Sequence, residues 1–348
     1  MKLVDCLTRY RARFLDKHGT TLTLEQWSAL NALLGCRTGQ YGDIALSCTH
    51  CRWSGCVPQS CGHRFCVQCQ HHTTTQWLER QQRKLLPVKY FMVTFTLPFE
   101  LRRVARAHQT TVYGLMFEVA TTTLQQFAAN NKHFNVTLGM TGVLHTHTRR
   151  LDYHPHIHFV VPAGGIHVQR REWRKRNGQY LFKEQNLAKV FRARLLKALH
   201  LAGISLPSTP KQWVVDCEAV GYGLPALKYL SRYLYRGVIS EKNLIADDGR
   251  SVTFRYQDNK TQQWHTRTET GEDFIALLLQ HVLPKGFRRV RDYGFLHGNA
   301  KRMLHLVQLI LKVALPKHLR KKRPPFLCQH CHNPLQIVGF IRARPQSG

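Results

Sequence analysis

Stretches rich in β-branched and aromatic residues alternate along this chain with stretches of helical character. The run Val88-Lys-Tyr-Phe-Met-Val-Thr-Phe-Thr-Leu97 predicts a strand that ends at Pro98, and residues Leu101 to Asn130 predict helix after it. Two further β-prone segments, Thr137 to Arg149 and Tyr153 to Val161, are joined by Arg149, Arg150, Leu151 and Asp152, which predicts an antiparallel hairpin. Helix is expected near Leu187 to Leu201, a strand near Trp213 to Cys217, and a helix opening at Pro225. Beyond about Ile245 the pattern predicts a short hairpin (Val252 to Tyr256, Gln263 to Thr268), then helices at Phe274 to Val282 and Lys301 to Leu315. At the other end, helix is expected at Leu22 to Leu34 and again around Gln76 to Leu86, where Pro87 closes the unit. The fold class is α+β. The expected divisions are 1–86, 87–245, 246–320 and a basic tail at 321–348.

Charge narrows the partners. Lys and Arg number 51 against 20 Asp and Glu, a formal net charge of +31 over 348 residues. Aromatic residues are interleaved with the basic ones, which favours nucleic acid over a membrane surface. Residues Met1 to Phe14 carry Lys2, Arg9, Arg11 and Arg13 and lack the apolar stretch of a signal peptide, and no later apolar run reaches the length of a bilayer. A soluble, cytoplasmic and nucleoid-associated protein is therefore expected.

The eleven cysteines are grouped. Six fall between Cys48 and Cys69, where Cys48-Thr-His-Cys51 and Cys66-Val-Gln-Cys69 form two CxxC knuckles. Each knuckle presents two thiolates from one tight loop, and paired knuckles make the tetrahedral thiolate set that zinc prefers. Structural zinc is expected at Cys48, Cys51, Cys66 and Cys69, with Cys56, Cys61 and His63 as surplus candidates. A second ion using Cys61 with a neighbour or with Cys36 is open. Cys328-Gln-His-Cys331 is half a site, which must borrow from His330, His332 or an N-terminal cysteine to bind metal.

Chemistry concentrates in His154-Pro-His156-Ile-His158. Alternate strand positions share a face, so His156 and His158 project together from backbone positions roughly 7 Å apart and can converge on one ion. His154 shares that face at roughly 13 Å from His158, too far for all three to ligate comfortably. A third ligand is sought among Asp152, Glu218 and His154 itself. In the helix after Pro225, Tyr229 and Tyr233 lie four apart on one face, beside a basic stripe of Lys228, Arg232 and Arg236. Histidines on a polar sheet face and tyrosines in a helix are each commonplace; together they suggest a catalytic pair.

In these residues the chain resembles bacterial transposases of the IS91 type, within the HUH superfamily of single-strand nucleases. The resemblance rests on Ser60-Cys61-Gly-His-Arg64-Phe-Cys66-Val-Gln-Cys69, Val93-Thr-Phe-Thr-Leu-Pro98, Leu144-His-Thr-His, the histidine strand and Tyr229-Leu-Ser-Arg-Tyr233. His281-Val-Leu-Pro-Lys-Gly-Phe-Arg288 and Asp292-Tyr-Gly-Phe295 extend it toward the C-terminus. It implies a central antiparallel sheet bearing the histidines with the tyrosine helix laid against it. It also implies Mg²⁺ or Mn²⁺ at His156 and His158, and Tyr229 and Tyr233 as nucleophiles. Two positions depart from the pattern: Val67 replaces a frequent proline, and Tyr235 adds a third tyrosine.

The expected function is a transposase that cuts single-stranded DNA through a 5′-phosphotyrosine link and rejoins it by a rolling-circle-like route. Its partners would be single-stranded transposon ends and target DNA, gripped in part by Lys228, Arg232, Arg236, Arg288 and Arg289, together with host replication factors. A replication initiator or relaxase would use the same residues on other DNA. A zinc-dependent DNA-binding regulator would bind without cleaving.

Overall fold

The computed structural model describes residues 1–178, 181–225, 227–228, 238–258, 261–314 and 325–343, with side chains omitted at 70–74. Tyr229, Tyr233, Tyr235, Arg232 and Arg236 lie outside the described residues.

The N-terminal part contains α1 (Leu3–His18), α2 (Leu24–Gly35), β1 (Asp43–Ser47), β2 (Ser54–Pro58) and α3 (Gln70–Gln82). Next come β3 (Lys89–Thr96), α4 (Arg102–Ala107) and α5 (Gln109–Ala129). The stretch predicted as one helix is thus divided at His108, whose φ of −125° and ψ of 45° leave the helical region. The hairpin follows as β4 (Gly139–His147) and β5 (Tyr153–Pro162), then β6 (Gly164–His167), β7 (Glu172–Lys175), α6 (Glu184–Leu201) and β8 (Val215–Tyr222). The chain continues through β9 (Leu244–Asp247), β10 (Ser251–Gln257), β11 (Trp264–Thr270), α7 (Gly271–Leu279), β12 (Val290–Gly294), α8 (Lys301–Ile310) and β13 (Gln336–Ile341).

A five-stranded sheet in the order β12-β4-β5-β3-β8 organises the molecule, and all its pairings are antiparallel. Period-two patterning gives it two different faces. On one, Phe91, Val93 and Phe95 of β3 and Ile157, Phe159 and Val161 of β5 are buried. They pack with Phe117 of α5 and Phe191 of α6 in the largest apolar cluster. Glycine at 142 permits this packing, since a Cβ there would lie 2.7 Å from the Phe159 ring. The opposite face carries Thr94, His145, His156 and His158, followed by Val143 and Val160. Those two valines pack with Trp77, Leu227 and Val307, so helical segments cover part of this face as well.

Packing crosses the divisions expected at 86 and 245. Leu7, Tyr10 and Phe14 of α1 and Leu30 of α2 bury against Val252, Phe254, Phe274 and Leu278. A separate sheet, β13-β1-β2, pairs the C-terminal strand with the N-terminal cysteine region. Among the described residues no helix is long and apolar enough to cross a membrane.

Candidate functional site

Register assembles the histidines. His145 on β4 is paired directly with His156 on β5, and Thr94 on β3 is paired with His158, so all four share one face. Ring centroids lie 5.2 Å apart for His145 and His156, 4.5 Å for His145 and His158, and 4.8 Å for His156 and His158. Each offers one nitrogen that could ligate an ion, and the three atoms lie within 4.8 Å of one another.

Two of the rings are oriented by further contacts. Nδ1 of His158 lies 2.7 Å from the Thr94 hydroxyl, and Nδ1 of His156 lies 2.7 Å from the His154 carbonyl. With Nδ1–H donating to these oxygens, Nε2 is the basic nitrogen of each ring, an arrangement usual for metal-binding imidazoles. Burial pushes the His156 imidazole down to about 4, against the opposing hydrogen bond to the His154 carbonyl. Burial also holds His145 and His158 well below their ordinary value, and each is depressed further by its neighbouring histidines. Three neutral imidazoles are thus poised at neutral pH, the form in which they ligate a cation.

The third member differs from every candidate drawn from the sequence. His154 is turned to Arg102, whose guanidinium donates to its Nδ1. Asp152 is engaged by Arg267 at 2.8 Å and receives a longer contact from Arg150 at 3.7 Å. Glu218 is exposed on β8, opposite Met92 rather than a histidine. His145 was visible within Leu144-His-Thr-His, but its place opposite His156 follows from the hairpin register. A β-bulge between His145 and His147 then sends His147 toward His281, with ring centroids 5.2 Å apart. His281 contacts the Leu151 carbonyl through Nε2 at 3.0 Å, and burial lowers it to about 3.

Positive charge surrounds the trio. Arg102 depresses the His156 imidazole and Arg289 depresses those of His145 and His147, so two guanidiniums act on the cluster from different segments. Arg288 and Arg289 also line a cleft of about 780 Å³ between residues 62–65 and 282–290, together with Lys285. Lys228 is exposed.

The cysteines sort into two groups instead of one paired set. Cys36, Cys61, Cys66 and Cys69 converge, with Sγ separations of 3.5 Å for Cys36–Cys69 and for Cys61–Cys69. The Cys66 thiol is pushed down to about 5, first by its hydrogen bond with Cys61, which makes it a ready thiolate. Cys48 and Cys51 instead meet Cys328 and Cys331. The expected combination of Cys48 and Cys51 with Cys66 and Cys69 is therefore corrected: the two N-terminal knuckles belong to different groups, because the pairing of Ser47 on β1 with Gln336 on β13 brings the knuckle that follows β1 to the knuckle that precedes β13. Cys56 is exposed on β2 and joins neither group. His63 also stands apart, its Nδ1 accepting from the Phe65 N–H at 3.2 Å.

Two family matches divide the chain at the cysteine-rich region and the histidine-bearing sheet. Residues 139–303 match a family described as "Putative transposase", and residues 6–97 match the IS91 "Transposase zinc-binding domain". A protein of Sinorhizobium fredii (strain NBRC 101917 / NGR234), "Putative transposase y4qJ", is 31% identical over 349 residues, spanning 93% of this chain and 87% of that protein. The transposase for insertion sequence element IS801 of Pseudomonas savastanoi pv. phaseolicola is 28% identical, spanning 78% of this chain and 69% of that protein. Among solved structures, conjugative relaxase TrwC in complex with mutant oriT DNA shows a weak likeness, with a TM-score of 0.29 and 14% identity over 63% of this chain and 71% of that chain.

Proposed function

Given that the chain belongs to the IS91 family of transposases, we propose that it nicks and rejoins single-stranded DNA at the ends of a mobile element through a tyrosine-linked intermediate. The three-imidazole cluster on β4 and β5 is the observation that carries this reading. His145, His156 and His158 would hold one divalent ion, which would supply charge neutralisation at a phosphodiester. The donor set contains three imidazoles, which suits Mn²⁺ or another transition ion better than Mg²⁺, an ion that prefers oxygen ligands.

Tyr229 and Tyr233 are the proposed nucleophiles. Leu227, two residues before Tyr229, is buried with Val143 and Val160 on the histidine-bearing face, which supports their assignment. Attack by a phenolate oxygen forms a bond to phosphorus while the bond from phosphorus to the 3′ oxygen breaks. One strand end is then held as a 5′-phosphotyrosine, and the other leaves as a 3′-hydroxyl after taking up a proton. Bond energy is conserved for rejoining, and a second tyrosine permits a second exchange. Arg102, Arg289 and the basic cleft favour the polyanionic strand, with Lys228, Arg232, Arg236 and Arg288 as further proposed contacts. Zinc at Cys36, Cys61, Cys66 and Cys69 would be structural.

The test is covalent capture. Purified protein is mixed with Mn²⁺ and a labelled single-stranded element end, then run on a denaturing gel. A protein–DNA adduct is expected, reduced by Tyr229→Phe or Tyr233→Phe and abolished by the double variant. Sequence-specific binding without any adduct would overturn the reading in favour of a non-catalytic DNA-binding protein. Preferential adduct formation on a replication or transfer origin would favour an initiator or relaxase.

A further inference from the structure

We infer that Cys48, Cys51, Cys328 and Cys331 bind a second structural zinc ion, which fastens the C-terminal segment of the chain to its N-terminal part. Residues 325–343 lie outside both family matches, so neither match gives Cys328 or Cys331 a role.

Three observations converge. The first is a repeated backbone shape. In the N-terminal knuckle, the Cys48 N–H donates to the Trp53 carbonyl at 2.7 Å and the Arg52 N–H donates to the Cys48 carbonyl at 3.0 Å. In the C-terminal knuckle, the Cys328 N–H donates to the Asn333 carbonyl at 2.9 Å and the His332 N–H donates to the Cys328 carbonyl at 2.9 Å. The residue after the second cysteine is left-handed in both, with φ of 58° at Arg52 and 57° at His332. Neither is glycine, so each knuckle holds an uncommon conformation, and the two do so in the same way.

The second is the sulfur geometry. Sγ separations are 3.4 Å for Cys48–Cys331 and 3.5 Å for Cys51–Cys328, and all four sulfurs lie within 4.8 Å of one another. A disulfide needs about 2.05 Å. Four thiolates at about 2.3 Å from one zinc stand about 3.8 Å apart, close to what the cluster shows.

The third is cohesion. Across residues 43–60 and 325–343, Leu46, Cys48 and Cys328 are the buried side chains, and β13 leaves Ile337, Val338 and Phe340 exposed. Ladder hydrogen bonds join β13 to β1, but this small sheet has almost no apolar interior. Units of this kind rely on metal for their stability. Because Cys51 and Cys328 are 277 positions apart in a chain of 348 residues, one ion would close about four-fifths of the chain into a loop.

The experiment measures metal content and exchange on the full chain, with no DNA cleavage involved. Elemental analysis of the wild type is expected to give two zinc ions per chain, with the metal at the histidines removed or counted separately. Cys328→Ser/Cys331→Ser should retain one. In that variant, amide hydrogen exchange should accelerate at Gln336–Ile341 while β3, β4 and β5 stay protected, which shows the remainder folded. Cys331→His, which preserves a ligand, should restore the second ion. The inference is overturned by one zinc per chain in the wild type, by two in the double serine variant, or by β13 protection that does not respond to the cysteines.

Discussion

Thr94→Val is a small change with a large expected effect on metal binding. The hydroxyl of Thr94 lies 2.7 Å from Nδ1 of His158 in a buried position, and valine keeps the shape of the side chain while removing that acceptor. When Nε2 ligates an ion, the proton must reside on Nδ1, so the metal-bound form needs an acceptor there. Without metal the ring can move its proton to Nε2 and escape much of the loss. Losing a buried hydrogen-bond partner costs about 1–3 kcal/mol. Most of that cost therefore falls on the bound state. This agrees with the 10–100-fold (about 1.4–2.7 kcal/mol) loss typical when a partner of a metal-bound imidazole is removed. Mn²⁺ titration of adduct formation should show half-saturation raised by about that factor, with the rate at saturating Mn²⁺ little changed and Thr94→Ser close to wild type. A folded Thr94→Val protein whose Mn²⁺ requirement stays within about twofold of wild type would refute this role for Thr94.

Phe159→Ala should cost about 3–5 kcal/mol in thermal or denaturant unfolding, because Phe159 is fully buried and its ring meets Phe95 edge-on at 5.9 Å and Phe117 at 6.3 Å. Adduct formation should require a lower concentration of Mn²⁺ than of Mg²⁺, as a titration with each ion alone would reveal; the reverse order would argue for oxygen ligands absent from the trio. The apo protein should lose stability as pH falls from about 6.5 toward about 4. In that window the unfolded chain takes up a proton that buried His156 does not, so the stabilisation present above 6.5 disappears on acidification. Melting temperatures across pH 7.5 to 4.5 would check this, and His156→Gln should make the profile shallower without abolishing its slope, because burial lowers His145, His158 and His281 in the same direction.

What was legible in the sequence was what is local. The β4–β5 hairpin is adjacent in the chain, and its alternation places His156 and His158 on one face without any distant contact. His145 needed the pairing register, which depends on the bulge before His147 and on the turn at Thr148–Asp152, and neither is written in residue types. Strand β12 (Val290–Gly294) overlaps Asp292-Tyr-Gly-Phe295 and is not legible there, because a short strand at a sheet edge is made by its partner β4, about 150 residues earlier. The same holds for β13 and the second cysteine group. Two CxxC knuckles look alike in sequence, so nothing local distinguishes a partner 15 residues away from one nearly 280 residues away. Helix α1 is legible in its own residues: Leu3, Cys6, Leu7, Tyr10 and Phe14 follow helical spacing, although the basic residues between them suit a polyanion-binding segment equally well.

The burial of α1 against β10 and α7 also bears on how the protein is made. Helix α1 leaves the ribosome before most of its partners: Ala29, Leu30 and Leu33 of α2 follow closely, but Val252, Phe254, Phe274 and Leu278 exist only after about 250 more residues have been synthesised. At about 5–20 residues per second, that interval is on the order of 10–50 s. For that time the side of Leu7, Tyr10 and Phe14 that packs on β10 and α7 faces solvent or a chaperone. Folding yield in the cell should then depend on elongation rate and chaperone supply, and refolding the complete chain in vitro would remove that delay.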